Sequence, residues 1–430
     1  MTWTDQYAAK LVEPAAAAAL VRPGDRVMCG LPEPTVFLDA LGARTGLTGV
    51  ECFIPAPRRG GVAIGRAMGI ELQAPFLTQV LRSAAVPVEL RPVTFSGWGP
   101  FTRRWAPRVR VVTVAVPLAD GTVRPGSSIG ADDALVRGRS GPDDVVIGVV
   151  NPSQPQIPGD AFHVDDFDHL IVLPPGEPPP DYDQRLEPEG LDAFVAAVDE
   201  LIPDGATLQA GVGALAEAVM SRLGHKRNLG IHTEVFGHGL KTLMEQGAVT
   251  NARKGVFAGR SVCTIALPDT YAFVEDNPSM WLAVSDQVLA PTAIARNPDV
   301  RCVNSSIEVD LFGQSNAEMI DGTQYSGVGG QLDFLRGCAL REDALAIQLL
   351  NATTRSGRSR IVPTLGPNAA TGTRYDNHVV VTEHGVAWLR DATMAQRAER
   401  LIGVAHPDHR AELRQHAERV GLLRAPAAAG

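Results

Sequence analysis

His232-Thr233-Glu234, followed closely by Gly237-His238-Gly239, sets one carboxylate among small residues that leave it reachable. A Glu at the C-terminal end of a strand stands where open α/β sheets bind ligands, and an ionised carboxylate there can act as a nucleophile. A solvated or helix-capping Glu fits the same residues. A second stretch, Ser326-Gly327-Val328-Gly329-Gly330-Gln331-Leu332-Asp333-Phe334, is crowded with glycine. Such a run implies unusual dihedrals and exposed N–H donors, as in an oxyanion hole or anion nest; a plain loop is the alternative. A third, Gly211-Val212-Gly213-Ala214-Leu215, lies between a strand-like and a helix-like segment. Its glycines would let the backbone approach a ligand, and the helix start offers free N–H groups to an anion. A tight turn explains it as well, and the third glycine and ribose-binding acid of a dinucleotide fingerprint are missing. Glu308 and Asp310 alternate along a fourth stretch, Asn304 to Leu311, and so share one face. No histidine or third acid joins them at ligand spacing, so they read as a structural face and no metal is expected. There is neither a GxSxG elbow nor a P-loop.

The elements that must position these residues alternate. In the N-terminal half DRVMCGL, GVECFIPA, PVELRPVTF, VRVVTVAV and DVVIGVV are short, rich in Val or Ile, and bounded by Gly, Pro or Asp, as strands are. PTVFLDALGART and PFLTQVLRSAA between them space apolar residues as helices do. That rhythm predicts mainly parallel sheets covered on both faces. At Leu170 to Leu173 a strand runs into a proline-rich acidic stretch, which places a domain boundary at Pro174 to Pro188. The expected fold is α/β, with two open domains, 1–180 and 189–430. In the second, ATLQAG, GIHTEVF, SVCTIAL, MWLAVS, RCVNSSIEVDLFG, ALAIQLL, RIVPTL and HVVVTEHGV read as strands, and GVGALAEAVMSRL and GLKTLMEQGAV as helices. Met394 to Leu423 reads as helical, and RAPAAAG after it as disordered.

A chain of 430 residues exceeds one ordinary core. Its net charge of -9 argues against nucleic acid or an anionic membrane surface as partner, while leaving room for a local basic pocket. Arg58-Arg59 and Arg103-Arg104 could face an anionic substrate, although solvated turns are the simpler reading. Cys29, Cys52, Cys263, Cys302 and Cys338 lack CxxC spacing and read as reduced core residues in a reducing compartment. The opening MTWTDQYAAKLVEPAAAAALV reads as a polar-flanked helix, too short in its apolar run to span a bilayer and unlike a signal peptide, so a soluble cytoplasmic protein is expected.

Taken in order, LQAGVGALAEAV, GIHTEV, NSSIEVDLFGQ, YSGVGGQLDFLRG, SRIVPTL, VVVTEHGVAWLR and AHPDHRAEL resemble the acetyl-CoA hydrolase/transferase family, over about Leu208 to Leu413. RPGDRV, DGTVRPGSSIG and NPSQPQIPGDAFHV extend the resemblance loosely into the N-terminal half. The resemblance implies two domains of CoA-transferase type, with the site between them, a homodimer, and no tightly bound cofactor. Coenzyme A thioester would be a substrate, with a small carboxylic acid or another acceptor. It makes Glu234 the nucleophile that carries CoA as a glutamyl thioester, and Gly330 an oxyanion donor. It assigns CoA contacts to Gly211, Val212, Gly213, Ala214, Leu215, Ile307, Ser326, Gly329 and Arg355, the last replacing a usual Lys. His238, Leu289 and Gln331 would border the substrate. Two positions depart from the family pattern. Leu289 stands where an oxyanion-hole Asn is usual, and His238-Gly239 stands where the family carries Asp-Gly. Loss of one such donor costs about 3–4 kcal/mol of transition-state stabilisation, which keeps open a repurposed enzyme passing the acyl group to water, an amine, an alcohol or carbon.

Overall fold

The structure, a computed structural model, describes residues 2–176 and 189–424. Most of the predicted boundary stretch, Pro174 to Pro188, and all but Arg424 of RAPAAAG lie outside the described residues.

Two open sheets organise the chain. The first contains β1 (Arg26–Cys29), β2 (Val50–Phe53), β3 (Ile70–Ala74), β4 (Glu89–Leu90), β5 (Val109–Val114), β6 (Val145–Val150) and β7 (His169–Val172). Their spatial order is β4-β3-β2-β1-β5-β6-β7, and every neighbouring pair is parallel. β5 and β6 are near-continuous Val/Ile runs because helices cover both of their faces. The chain winds outward from β1 to β4 and then returns on the other side of β1 as β5. Its winding therefore reverses at the β1/β5 crevice, the kind of place where such sheets take ligands. Helices α1 (Thr35–Gly42), α2 (Arg59–Arg66) and α3 (Gln79–Ala84) connect these strands.

The second half repeats the plan. It begins with β8 (Thr207–Ala210) and β9 (Gly230–Ile231), followed by a minor parallel pair, β10 (Val235–Phe236) with β11 (Ile265–Ala266). β12 (Val300–Ser305), β13 (Leu345–Leu349), β14 (Val379–Thr382) and β15 (Gly385–Trp388) complete the order β9-β8-β12-β13-β14-β15. Only the β14–β15 pair is antiparallel. Here the winding reverses at β8/β12. Helices α4 (Ala214–Ser221), α5 (His238–Glu245), α6 (Ser285–Leu289) and α7 (Gln331–Ala339) surround that edge. One apolar cluster runs from Met28 and Trp98 through Leu208 and Leu289 to Val381, so the two sheets share a core.

Several segments differ from their sequence-based reading. The opening helix breaks into Trp3–Lys10 and Pro14–Ala19, because Pro14 cannot continue a helix but suits the first turn of a new one. In PVELRPVTF only Glu89–Leu90 pairs. RCVNSSIEVDLFG splits after Ser305, and Glu308–Asp310 joins a separate small sheet. GIHTEVF also splits, and its break runs from His232 to Glu234.

Candidate active site

The break at Glu234 is held by one carbonyl. Glu234 C=O accepts from the backbone N–H groups of Thr264 and Ile265, both at 3.0 Å, and from Thr264 Oγ1 at 2.8 Å. The preceding Thr233 is buried, with its hydroxyl donating to Val235 C=O at 3.0 Å. His232, fully enclosed, ties this segment to α6: Nε2 donates to Val288 C=O at 2.6 Å, and Nδ1 accepts from Asn297 Nδ2 at 3.1 Å. Burial pushes its pKa down to about 3, aided by Lys254, so the ring is neutral. Lys254 is itself lowered to about 7 by burial, and its Nζ donates to Ile231 C=O at 2.6 Å. This polar framework fixes where the Glu234 side chain emerges.

The side chain emerges against the glycine run. Gly330 N–H donates to Glu234 Oε2 at 2.9 Å, and Gly330 caps the start of α7. A Cβ on Gly330 would collide with both Glu234 Oε2 and Leu289 Cδ2, so only glycine lets the N–H reach the carboxyl. Gly329 adopts a left-handed φ of +59°, which turns the chain into the helix. Glu234 is half-buried and its carboxyl is largely desolvated, which pushes its pKa up to about 8. The Gly330 N–H opposes that shift, and Asp333 adds to it. Asp333, three residues into α7, is buried and raised to about 6 by desolvation. It accepts from Ser96 N–H at 2.9 Å and from Ser96 Oγ at 2.7 Å.

Ser96 belongs to the N-terminal half, which grips this loop at further points. Phe76 Cζ lies 3.2 Å from where a Gly329 Cβ would be, and the Pro75 carbonyl excludes any side chain at Gly327. The Arg82 guanidinium stacks 3.9 Å over the Tyr325 ring and donates to its carbonyl. Phe76, Ser96 and Arg82 have no local sequence signature; they act through contacts with residues far along the chain.

The remaining expected residues are spread along the same edge. Gly211 and Gly213 form the turn from β8 into α4, directly above Asn304 and Ser305 at the end of β12. Val212 projects outward, while Ala214 and Leu215 open the helix. Glu217 on α4 accepts from Gly239 N–H at 2.6 Å and so anchors the start of α5. Gln331 Nε2 donates to Gln348 Oε1 at 2.9 Å, beside Ser306 at 2.8 Å. Ile307 and Ser326 are half-buried loop residues on this edge. His238 is exposed on α5, with Nδ1 3.9 Å from Asp269 Oδ2, and no bond joins it to Glu234. Arg355 is exposed in the turn Thr354–Gly357 and makes no ion pair among the described residues. Glu234, Gly329, Gly330 and Leu289 are thus brought together, whereas His238 and Arg355 stand apart. Glu308 and Asp310 bond to neighbouring side chains and turns, as a structural face would. Among the described residues no group of three or more His, Cys, Asp or Glu could hold a metal, and no helix is long and apolar enough to cross a membrane.

Residues 267–417 match the model of the acetyl-CoA hydrolase/transferase C-terminal domain. Over 98% of its length the chain is 33% identical to succinyl-CoA:cyclohexane-1-carboxylate CoA transferase of Geobacter metallireducens, again 98% of that protein. The chain belongs to the acetyl-CoA hydrolase/transferase family. Solved structures agree with this membership. The crystal structure of RipA from Yersinia pestis superposes with a TM-score of 0.90 at 30% identity, covering 98% of this chain and 100% of that one. The 4-hydroxybutyrate CoA-transferase of Porphyromonas gingivalis gives 0.78 at 28%, covering 97% and 100%. Family membership makes this chain an enzyme of the CoA-transferase or acetyl-CoA hydrolase kind.

Proposed function

We propose that the protein moves CoA between carboxylic acids through a thioester on Glu234. The observation that carries this reading is the Gly330 N–H at the start of α7, 2.9 Å from the carboxyl of a half-buried glutamate. The Glu234 carboxylate attacks the acyl-CoA carbonyl, forming an acyl-glutamyl anhydride and expelling CoA thiolate. The thiolate attacks the γ-carbonyl of Glu234, giving glutamyl-CoA and the free acid. A second carboxylate then attacks glutamyl-CoA, and the thiolate collects the new acyl group, regenerating Glu234. Each addition places negative charge on an oxygen near Glu234, where a fixed N–H is worth about 10²–10³ in rate. Covalent capture divides one hard exchange into easier steps and needs no metal or nucleotide. The transfer activities named for the Geobacter and Porphyromonas proteins support the same reading. A cytoplasmic homodimer is part of it.

Intact-protein and peptide mass spectrometry after incubation with acyl-CoAs tests it, with Glu234→Ala as control. A CoA-sized adduct on the peptide carrying Glu234, absent from the variant, is expected. Turnover without an adduct in a still-active variant overturns the glutamate mechanism. One observation favours a second reading, in which water or another acceptor takes the acyl group. Leu289, apolar, packs against Gly330, and among the described residues Gly330 supplies the sole hydrogen bond to the Glu234 carboxyl. Acyl-CoA consumption that needs no carboxylic acid would establish that reading instead.

A further inference from the structure

The two oxygens of the Glu234 carboxyl have different neighbours. Oε2 accepts from Gly330 N–H at 2.9 Å, and it shares with Leu289 Cδ2 the point where a Gly330 Cβ would stand. Leu289 is fully buried, so this side of the carboxyl is closed. Among the described residues no hydrogen bond reaches Oε1. Beside it stands an aromatic ring from the other half of the chain. Phe76 Cζ lies 3.2 Å, Phe76 Cε1 3.7 Å and Glu234 Oε1 3.8 Å from the point where a Gly329 Cβ would be.

The chain on either side holds that ring in place. Pro75 is buried, with its carbonyl against Gly327. Arg82 Nη1 donates to Leu77 C=O at 2.6 Å, and Thr78 Oγ1 donates to Pro57 C=O at 2.6 Å. Thr78 also caps the start of α3. The Phe76 ring packs on the core that the two sheets share, yet the residue is only half-buried, so part of its surface stays open to a ligand.

These contacts separate the roles of the two oxygens. Oε2 is bonded and walled in, whereas the lone pairs of Oε1 are free. Oε1 bonds the acyl-CoA carbonyl carbon, the carbon–sulfur bond breaks, and CoA leaves as thiolate with the electron pair. The acyl group then hangs from Oε1, with its α-carbon on the Phe76 side. A ring fixed by core packing yields little to added bulk.

We propose that Phe76 is a specificity-determining residue, a wall that admits acyl groups unbranched at the α-carbon and rejects those branched there. The assignment deepens the reading above and rests on attack by Glu234.

The test reads kcat/KM for pivaloyl-CoA and for butyryl-CoA, with acetate as acceptor, and takes their ratio within each variant. Loss of the thioester is followed, so transfer and hydrolysis both count. In Phe76→Ala the ratio of pivaloyl-CoA to butyryl-CoA should rise about tenfold or more, since one methyl group in an apolar pocket is worth about that much. Phe76→Leu keeps more of the bulk and should raise it less; it carries the test if Phe76→Ala does not fold. Loosening of the Gly329–Gly330 turn would slow both thioesters alike and cancels in the ratio. A ratio unmoved in the folded variants overturns the wall. Glu234→Ala, run alongside, separates the two readings. If it is inactive while the ratio is unmoved, only the wall falls. If it stays active, attack by Glu234 falls, and the ratio still decides whether Phe76 borders the acyl group. Should the wild type consume neither thioester, dissociation constants from calorimetry replace the rates: a ratio shifted toward pivaloyl-CoA in the Phe76 variants upholds the wall, and an unchanged one overturns it.

Discussion

Glu33 and Glu234 both set a carboxylate against the N-terminus of a helix, and both are raised by burial, yet they are held differently. Glu33 receives three backbone N–H groups at α2 and the Thr35 hydroxyl at 3.3 Å. Glu234 receives one N–H, from Gly330 at α7. A carboxylate saturated by fixed donors is a structural ion whose lone pairs are engaged. A carboxylate with one donor keeps lone pairs free for attack, and that donor can then follow the charge onto a new oxygen. The number of donors therefore separates a cap from a candidate nucleophile.

The largest effect that could break this contrast comes from replacing each glutamate with glutamine. Glu234→Gln keeps the shape and removes the nucleophile, so kcat for CoA transfer should fall on the order of 10⁴-fold or more, as for loss of other covalent catalysts. Glu33→Gln turns an NH₂ group toward backbone donors, so its main effect should be about 2–3 kcal/mol of stability, read in urea unfolding. Similar responses from the two would erase the distinction. The next effect belongs to the donor. In Gly330→Ala the new Cβ must displace both Glu234 and Leu289, and kcat should fall by about 10²–10³; a variant with near-normal kcat would remove Gly330 from the mechanism.

Acidity sharpens the comparison. Burial keeps Glu234 protonated up to about pH 8, and a protonated carboxyl is a poor nucleophile. With acyl-CoA below saturation, kcat/KM should climb about tenfold per pH unit and level off above that midpoint. Asp333→Asn removes a charge that raises it and should move the midpoint down. Stability runs the opposite way. Unfolding returns the carboxyl to its ordinary 4.5, so the folded state binds more protons between 4.5 and about 8 and loses stability as pH rises through that window. The Tm gained by Glu234→Gln over wild type should consequently be larger at about pH 9 than at about pH 5. A flat pH profile would mean the carboxyl is better solvated than its surroundings imply.

The reactive pieces are readable along the chain because each is local. Glu234 sits between glycines, three glycines precede α7, and Val/Ile runs alternate with helices as parallel sheets require. What joins the pieces is not local. Periodicity could not show that GIHTEVF breaks at Glu234, since the break is imposed by Thr264 and Ile265 bonding one carbonyl. Nor does any pattern mark Phe76 or Ser96, whose partners lie in the other half of the chain. Thr113 belongs to a strand that reads simply as rich in Val, and only the fold reveals that its buried hydroxyl has no partner among the described residues.

Arg355 supplies the smallest effect and the opposite limit from Glu33. Its side chain is exposed, in a turn, with no ion pair among the described residues to hold it, whereas Glu33 is fixed by every bond it can make. A charge held so loosely can attract a phosphate-bearing substrate without positioning its reacting carbonyl. Arg355→Ala should accordingly raise KM for acyl-CoA a few-fold and leave kcat unchanged, the signature of binding energy expressed equally in ground and transition states. Because the site is open to solvent, the difference should shrink as salt is raised toward about 0.5 M, where the screening length is only a few ångström. A fall in kcat that salt does not diminish would mean that Arg355 closes over bound CoA and belongs with the fixed groups around Glu234.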